Sequence, residues 1–112
     1  MARIEVVRHV AADPSSLALL LSGPTGRELW EDDNLMLGAP ERSGLGFRVD
    51  VATSSPANAR GRILIAAGAD GPIASDVQLT LSAVGNVPAI RRAADDFLDA
   101  LAAAAQARSS AA

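Results

Sequence analysis

The chain contains no cysteine, no lysine and no tyrosine, and it has a single histidine. Without cysteine there is no disulfide framework, no thiolate nucleophile and no cysteine-built zinc cluster. The lone His9 has no second His, Cys or Tyr with which to form a triad, and none of the serines has an obvious activating neighbour. No window approaches the ~18 apolar residues of a membrane span. The formal charge is a mild −3 and no basic run stands out, so nothing steers the chain toward nucleic acid. The opening stretch MARIEVVRHVAAD carries charges throughout and lacks an apolar core of signal-peptide length, so the expected compartment is the cytoplasm. All ten basic residues are arginine and alanine is abundant, which reads as the coding bias of a GC-rich bacterium.

What is present is enough for one folded domain. A chain of 112 residues buries roughly two-thirds of its unfolded surface without covalent or metal support. The most organised stretch runs from Asn86 to Arg108. Val87, Ile90, Ala94, Phe97, Leu101 and Ala104 recur at steps of three and four and share one side of a helix. Arg91, Arg92, Asp95, Asp96 and Asp99 take the other side. Asn86 is placed to cap the first turn, and Pro88 lies where its missing N–H costs nothing. A long helix with one apolar stripe requires a partner surface.

The preceding segments supply it. Ile4 and Val6 alternate with Arg3, Glu5 and Val7, a strand in which Arg8 falls on the apolar side, so that the strand either ends there or carries a bulge. Asp13-Pro14 is a helix start, with Leu17, Leu20 and Leu21 as the buried side. Ser22-Gly23-Pro24 breaks that helix and opens a second short one over PTGRELW, with Leu29 and Trp30 facing inward. Leu35 to Leu37 read as a short strand before the turn residues Gly38, Pro40, Ser43 and Gly44. Three alternating strands follow: Phe47, Val49 and Val51; Gly61, Ile63 and Ile65; and Val77, Leu79, Leu81 and Ala83. Turns at 54–58 and 68–72 join them into an antiparallel meander with one wet face and one dry face, the latter covered by the long helix. The strand from Ser75 to Ala83 carries little charge, so its edge needs either the N-terminal strand or a homodimer partner. One domain over 1–108 and a frayed tail at 109–112 are expected.

Few residues offer chemistry. His9 at a strand end reads as structural. Glu31, Asp32, Asp33 and Asn34 lack the spacing of a calcium loop and read as a solvated loop, with no metal implied. Asp95, Asp96 and Asp99 read as a wet helix face. Gly44-Leu45-Gly46-Phe47 resembles the carboxylate-binding loop of PDZ domains. No Gly-Asp-x-Ile/Leu segment follows it, however, and a tight turn into a strand is the better reading. Arg48, Arg60 and Arg62 share the polar side of the meander with Asp50 and Asp76. They make either an anion patch or, more simply, cross-strand charge pairs.

The order of strand, two short helices, antiparallel meander and long C-terminal helix resembles the helix-grip order of the START-like superfamily, which includes polyketide cyclase/dehydrase and lipid-transport proteins. IEVVRHVAADPSSLALLLSGPTGRELW (Ile4 to Trp30) carries the resemblance most specifically, and the ending FLDALAAAAQARSSAA is similar to small actinobacterial members. Typical members are longer, and 31–86 has room for about four strands, so a short sheet and a reduced cavity are expected. The resemblance implies an α+β helix-grip fold and non-catalytic binding of a small apolar ligand between sheet and helix, with no cofactor. The expected lining is Leu21, Trp30, Phe47, Val49, Ile63, Ile65, Leu79, Leu81, Ala94 and Phe97, which is also the expected core. An interaction or dimerisation module with a filled core is the alternative. A cyclase-like enzyme using Arg8 or His9 comes third.

Overall fold

A computed structural model describes residues 2–23, 29–30, 35–44, 46–54, 58–68 and 71–110. The strands are β1 (Ala2–Val10), β2 (Met36–Leu37), β3 (Glu41–Ser43), β4 (Gly46–Thr53), β5 (Asn58–Gly68) and β6 (Gly71–Val84). The helices are α1 (Pro14–Ser22) and α2 (Val87–Ser110). The strands form one antiparallel sheet in the order β1-β6-β5-β4-β2, and β3 also pairs with β4. The expected second short helix lies mostly outside the described residues, as does the acidic stretch at 31–34. Of the former, Leu29 is half-buried and Trp30 is buried.

β4, β5 and β6 form the expected meander, and β1 closes it. β1 pairs with β6 from Ala2↔Ala83 to Val10↔Ser75 without a register shift, so the Ser75–Ala83 edge is covered by the N-terminal strand. Arg8 neither ends β1 nor makes a bulge, contrary to expectation. It stays in register on the helix side, where Nε donates to Asp99 at 2.9 Å and Nη2 to Asp95 at 3.1 Å. Asp95 and Asp99 are therefore the counter-charges of a strand arginine and not simply a wet face. Hydrogen bonding to Asp99 is the largest influence and pushes the guanidinium pKa up; burial, next in size, opposes it, and the fields of Asp99 and Asp95 add to the rise.

Where the sequence pattern suggests one short strand and then a turn, the structure has two strands, β2 and β3. Both pair with the same side of β4, at Leu37↔Val51 and Glu41↔Arg48, and the Gly38 N–H donates to the Asp50 carbonyl between them at 2.8 Å. Together they make one broken edge strand. Glu41, Arg42 and Ser43 are all exposed, so no apolar alternation marks β3 in the sequence. Gly44 turns into β4 at φ 59, a left-handed conformation that suits glycine and supports the tight-turn reading of GLGF.

Local chemistry sets the helix ends. Asp13 accepts from the Ser16 N–H at 3.2 Å and from the Ser16 hydroxyl, and Pro14 occupies the first turn. The Ser16 hydroxyl leads the contributions that hold the Asp13 carboxyl below its ordinary 3.8. Gly85 at φ 94 reverses the chain out of β6, and the Asn86 carbonyl accepts the Ile90 N–H to begin α2. With 24 residues, α2 is about 36 Å long and spans most of the molecule's 39 Å axis.

α2 lies over β1 and β6, and α1 lies over β4, β5 and β6. The long helix is thus set toward one edge of the sheet and not centred on the meander. Its buried stripe is wider than the predicted one, because Ala93, Leu98 and Ala105 join Ile90, Ala94, Phe97 and Leu101. Trp30 meets Phe97 edge to face, with centroids 5.8 Å apart. Ser75 is fully buried, and its hydroxyl donates to the Ala12 carbonyl at 2.7 Å, tying the start of β6 to the loop before α1. No helix is long and apolar enough to cross a membrane among the described residues.

Candidate apolar site and the outer face

The dry face of the sheet is organised in cross-strand rows. Val49, Ile63, Leu79 and Val6 stand opposite one another across β4, β5, β6 and β1. The next row runs Phe47, Ile65, Val77 and Arg8. Its two ends carry cations, since the Arg42 guanidinium sits 5.7 Å over the Phe47 ring and Arg8 is held by α2. A third row runs Val51, Gly61, Leu81 and Ile4. Gly61 has a steric reason: a Cβ there would run into the Thr80 carbonyl of β6, and one at Gly46 would run into that of Ile65.

The expected lining residues are brought together. Leu21, Trp30, Val49, Ile63, Ile65, Leu79, Leu81, Ala94 and Phe97 are all buried members of one hydrophobic cluster, and Phe47 is half-buried against it. Of these ten, Leu21 also borders a cavity. That cavity has a volume of about 270 Å3 and lies between the end of α1 (Leu21, Ser22, Gly23) and the Leu37–Pro40 segment of the broken edge strand. The sequence marks Leu37 to Pro40 as strand and turn, and nothing in that pattern signals a cleft wall.

The other face of the sheet holds two larger open depressions. One, of about 730 Å3, is lined by Met36, Ala52, Asn58, Arg60, Ser82 and Val84 among others. The second, of about 640 Å3, is lined by Arg48, Asp50, Arg60 and Arg62 and shares Met36 and Ala52 with the first. The charge pairing expected here is different in the structure. Arg48 is paired with Glu41 at 2.9 Å, across to the edge strand, and Asp76 with His9 Nδ1 at 2.9 Å. Arg60, Arg62 and Asp50 make no ion pair among the described residues, although Asp50 stands opposite Arg62 in register.

His9 and Arg8 are adjacent in a strand and so project to opposite faces. His9 is on the outer face beside Asp76, and Arg8 is clamped to α2. The two alternative polar groups of a cyclase-like site therefore lie on opposite sides of the sheet.

No family model matches the chain, and no curated protein matches it. Solved structures that share the fold include two with the following similarity. One is the crystal structure of TTHA0849 from Thermus thermophilus, with a TM-score of 0.52 and 14% identity over 96% of this chain and 99% of that one. The other is a START superfamily protein from Mycobacterium smegmatis, with a TM-score of 0.52 and 16% identity over 95% of each chain. The chain has a START-like helix-grip fold.

Proposed function

We propose that this START-like domain is a non-catalytic module that binds a small apolar molecule on the core side of its sheet. The cleft between the end of α1 and Leu37–Pro40 serves as the entry. The carrying observation is that Leu21 belongs to the buried core and also borders the 270 Å3 cavity, so the apolar interior meets solvent there. The volume sits just under the ~300 Å3 at which usual ligand pockets begin, which counts against a full-sized ligand and limits the occupant to a single ring or a short chain. Specificity comes from shape, since the lining expected on α2 and the sheet is apolar.

The test is calorimetric titration of the natively folded protein with the neutral single-ring probe toluene, using Ala39→Trp as the blocked variant. Ala39 is exposed and borders the cleft, so a tryptophan there obstructs the mouth without entering the core. Saturable binding that is lost in Ala39→Trp is the expected result. Absence of binding, or equal binding by the variant, would overturn the reading. The alternative is a filled domain that works through its surface. Three large apolar side chains exposed on the outer face, Val7, Met36 and Val84, favour it.

A further inference from the structure

The outer face carries a second and independent candidate. Arg60 and Arg62 are two residues apart on β5, so their side chains leave the same face about 6.6 Å apart along the strand. Neither guanidinium has an ion-pair partner among the described residues. A third cation lining the depression, Arg48, is already neutralised by Glu41. In a chain of net charge −3 this is a local reversal of sign, and two like charges side by side raise each other's energy until an anion neutralises them.

The space around them is concave and two-sided in character. The depression holding Arg60 and Arg62 continues past Ala52 into the one floored by Met36 and Val84, which are 68% and 57% exposed. Asn58 and Ser82 line the same trough and can donate hydrogen bonds. Asp50 lines it as well and directs an anion away from itself, toward the Arg60 side.

From this arrangement we infer that the trough binds an amphiphilic anion. A carboxylate, phosphate or sulfate is held by the planar forks of Arg60 and Arg62, and a short apolar segment lies across Met36, Ala52 and Val84. The site is on the face opposite the apolar core and does not depend on the cleft beside Leu21.

Amide-resolved NMR titration of the whole chain tests this, with octyl phosphate below its micelle concentration, inorganic phosphate and octyl glucoside as the three probes. Octyl phosphate is expected to saturate, shifting the amides of Met36, Arg60, Arg62 and Val84. Inorganic phosphate, which lacks the apolar segment, is expected to bind at least about tenfold more weakly. Arg60→Gln and Arg62→Gln each weaken octyl phosphate by about tenfold or more, whereas Arg91→Gln on the exposed side of α2 leaves it unchanged. Both glutamine variants lie on the open outer face, and their spectra report whether the fold is kept. Binding of octyl glucoside or inorganic phosphate as tight as that of octyl phosphate would overturn the inference. So would unchanged affinity in folded Gln variants. Amide shifts confined to Leu21 and Leu37–Ala39 would overturn it too, while leaving the core-side reading intact.

Discussion

Phe97→Ala is the perturbation that best measures how the long helix is held. Phe97 is 1% exposed at the middle of α2, and its ring meets Trp30 edge to face. Removing a buried phenylalanine side chain costs roughly 3–5 kcal/mol, from lost transfer energy and from the cavity left where neighbours do not collapse. Losing the aromatic pair accounts for about 0.5–1.5 kcal/mol and places this site in the upper half of that range. A domain of this length has about 6–17 kcal/mol of total stability. Its unfolding entropy corresponds to about 0.24 kcal/mol per degree, so the thermal midpoint should fall by roughly 17–21 °C. Circular dichroism melts, with urea titrations to check that the slope is unchanged, give the number. Asp96→Ala is the control, because Asp96 is exposed on the same helix and should move the midpoint by no more than about 2 °C. A Phe97→Ala shift as small as that of Asp96→Ala would refute the docking of α2 through this residue.

Other consequences are local. Gly61→Ala should destabilise by roughly 3 kcal/mol in the same melts, because the new methyl meets the backbone of β6, which cannot rotate away. Gly23→Ala, whose nearest neighbours would lie at 3.9 Å or beyond, should be nearly silent. Asp13→Ala should cost about 1 kcal/mol at pH 7 through loss of the α1 cap. Since folding lowers the Asp13 pKa, its ionised form stabilises the protein above the ordinary value of 3.8. The charge-dependent part of that contribution is lost as pH falls through the lower folded value. Urea titrations at pH 7 and in the acid range below 3.8 should show the gap between the two proteins narrowing at low pH, and a constant gap would contradict the capping role.

Much of the fold is legible because each part is written locally. The Asp13-Pro14 start, the three-four spacing through Ala94 and Phe97, and the two-residue alternation of Ile63 and Ile65 or Leu79 and Leu81 each report one element's own geometry. Three things escape that grammar. Arg8 looks like the end of a strand because its partners, Asp95 and Asp99, are brought near only by the tertiary fold. β3 is held by backbone pairing to β4 with every side chain exposed, so hydrophobic periodicity has nothing to detect. The meeting of the core with solvent at Leu21 depends on where the end of α1 sits against Leu37–Pro40. The arginines at 60 and 62 are visible as a candidate anion patch, but their lack of an ion-pair partner among the described residues is not. Glu41 and His9 take Arg48 and Asp76 out of the expected pairing.

Arg8 has a consequence beyond holding α2. β1 ends the sheet, and its outer side is a nine-residue row of backbone donors and acceptors with even register, the kind of template on which another chain can add a strand. A strand added there would extend the dry face past β1. It would have to lie beside a guanidinium and the carboxylates of Asp95 and Asp99, which remain partly solvated only while that side is open. Shutting water away from the triplet is costly even with its charges paired. The residue that interrupts the apolar pattern of β1 therefore disfavours the addition of a further strand there. A leucine at the same position would suit the monomer's core and leave the strand ready to template aggregation.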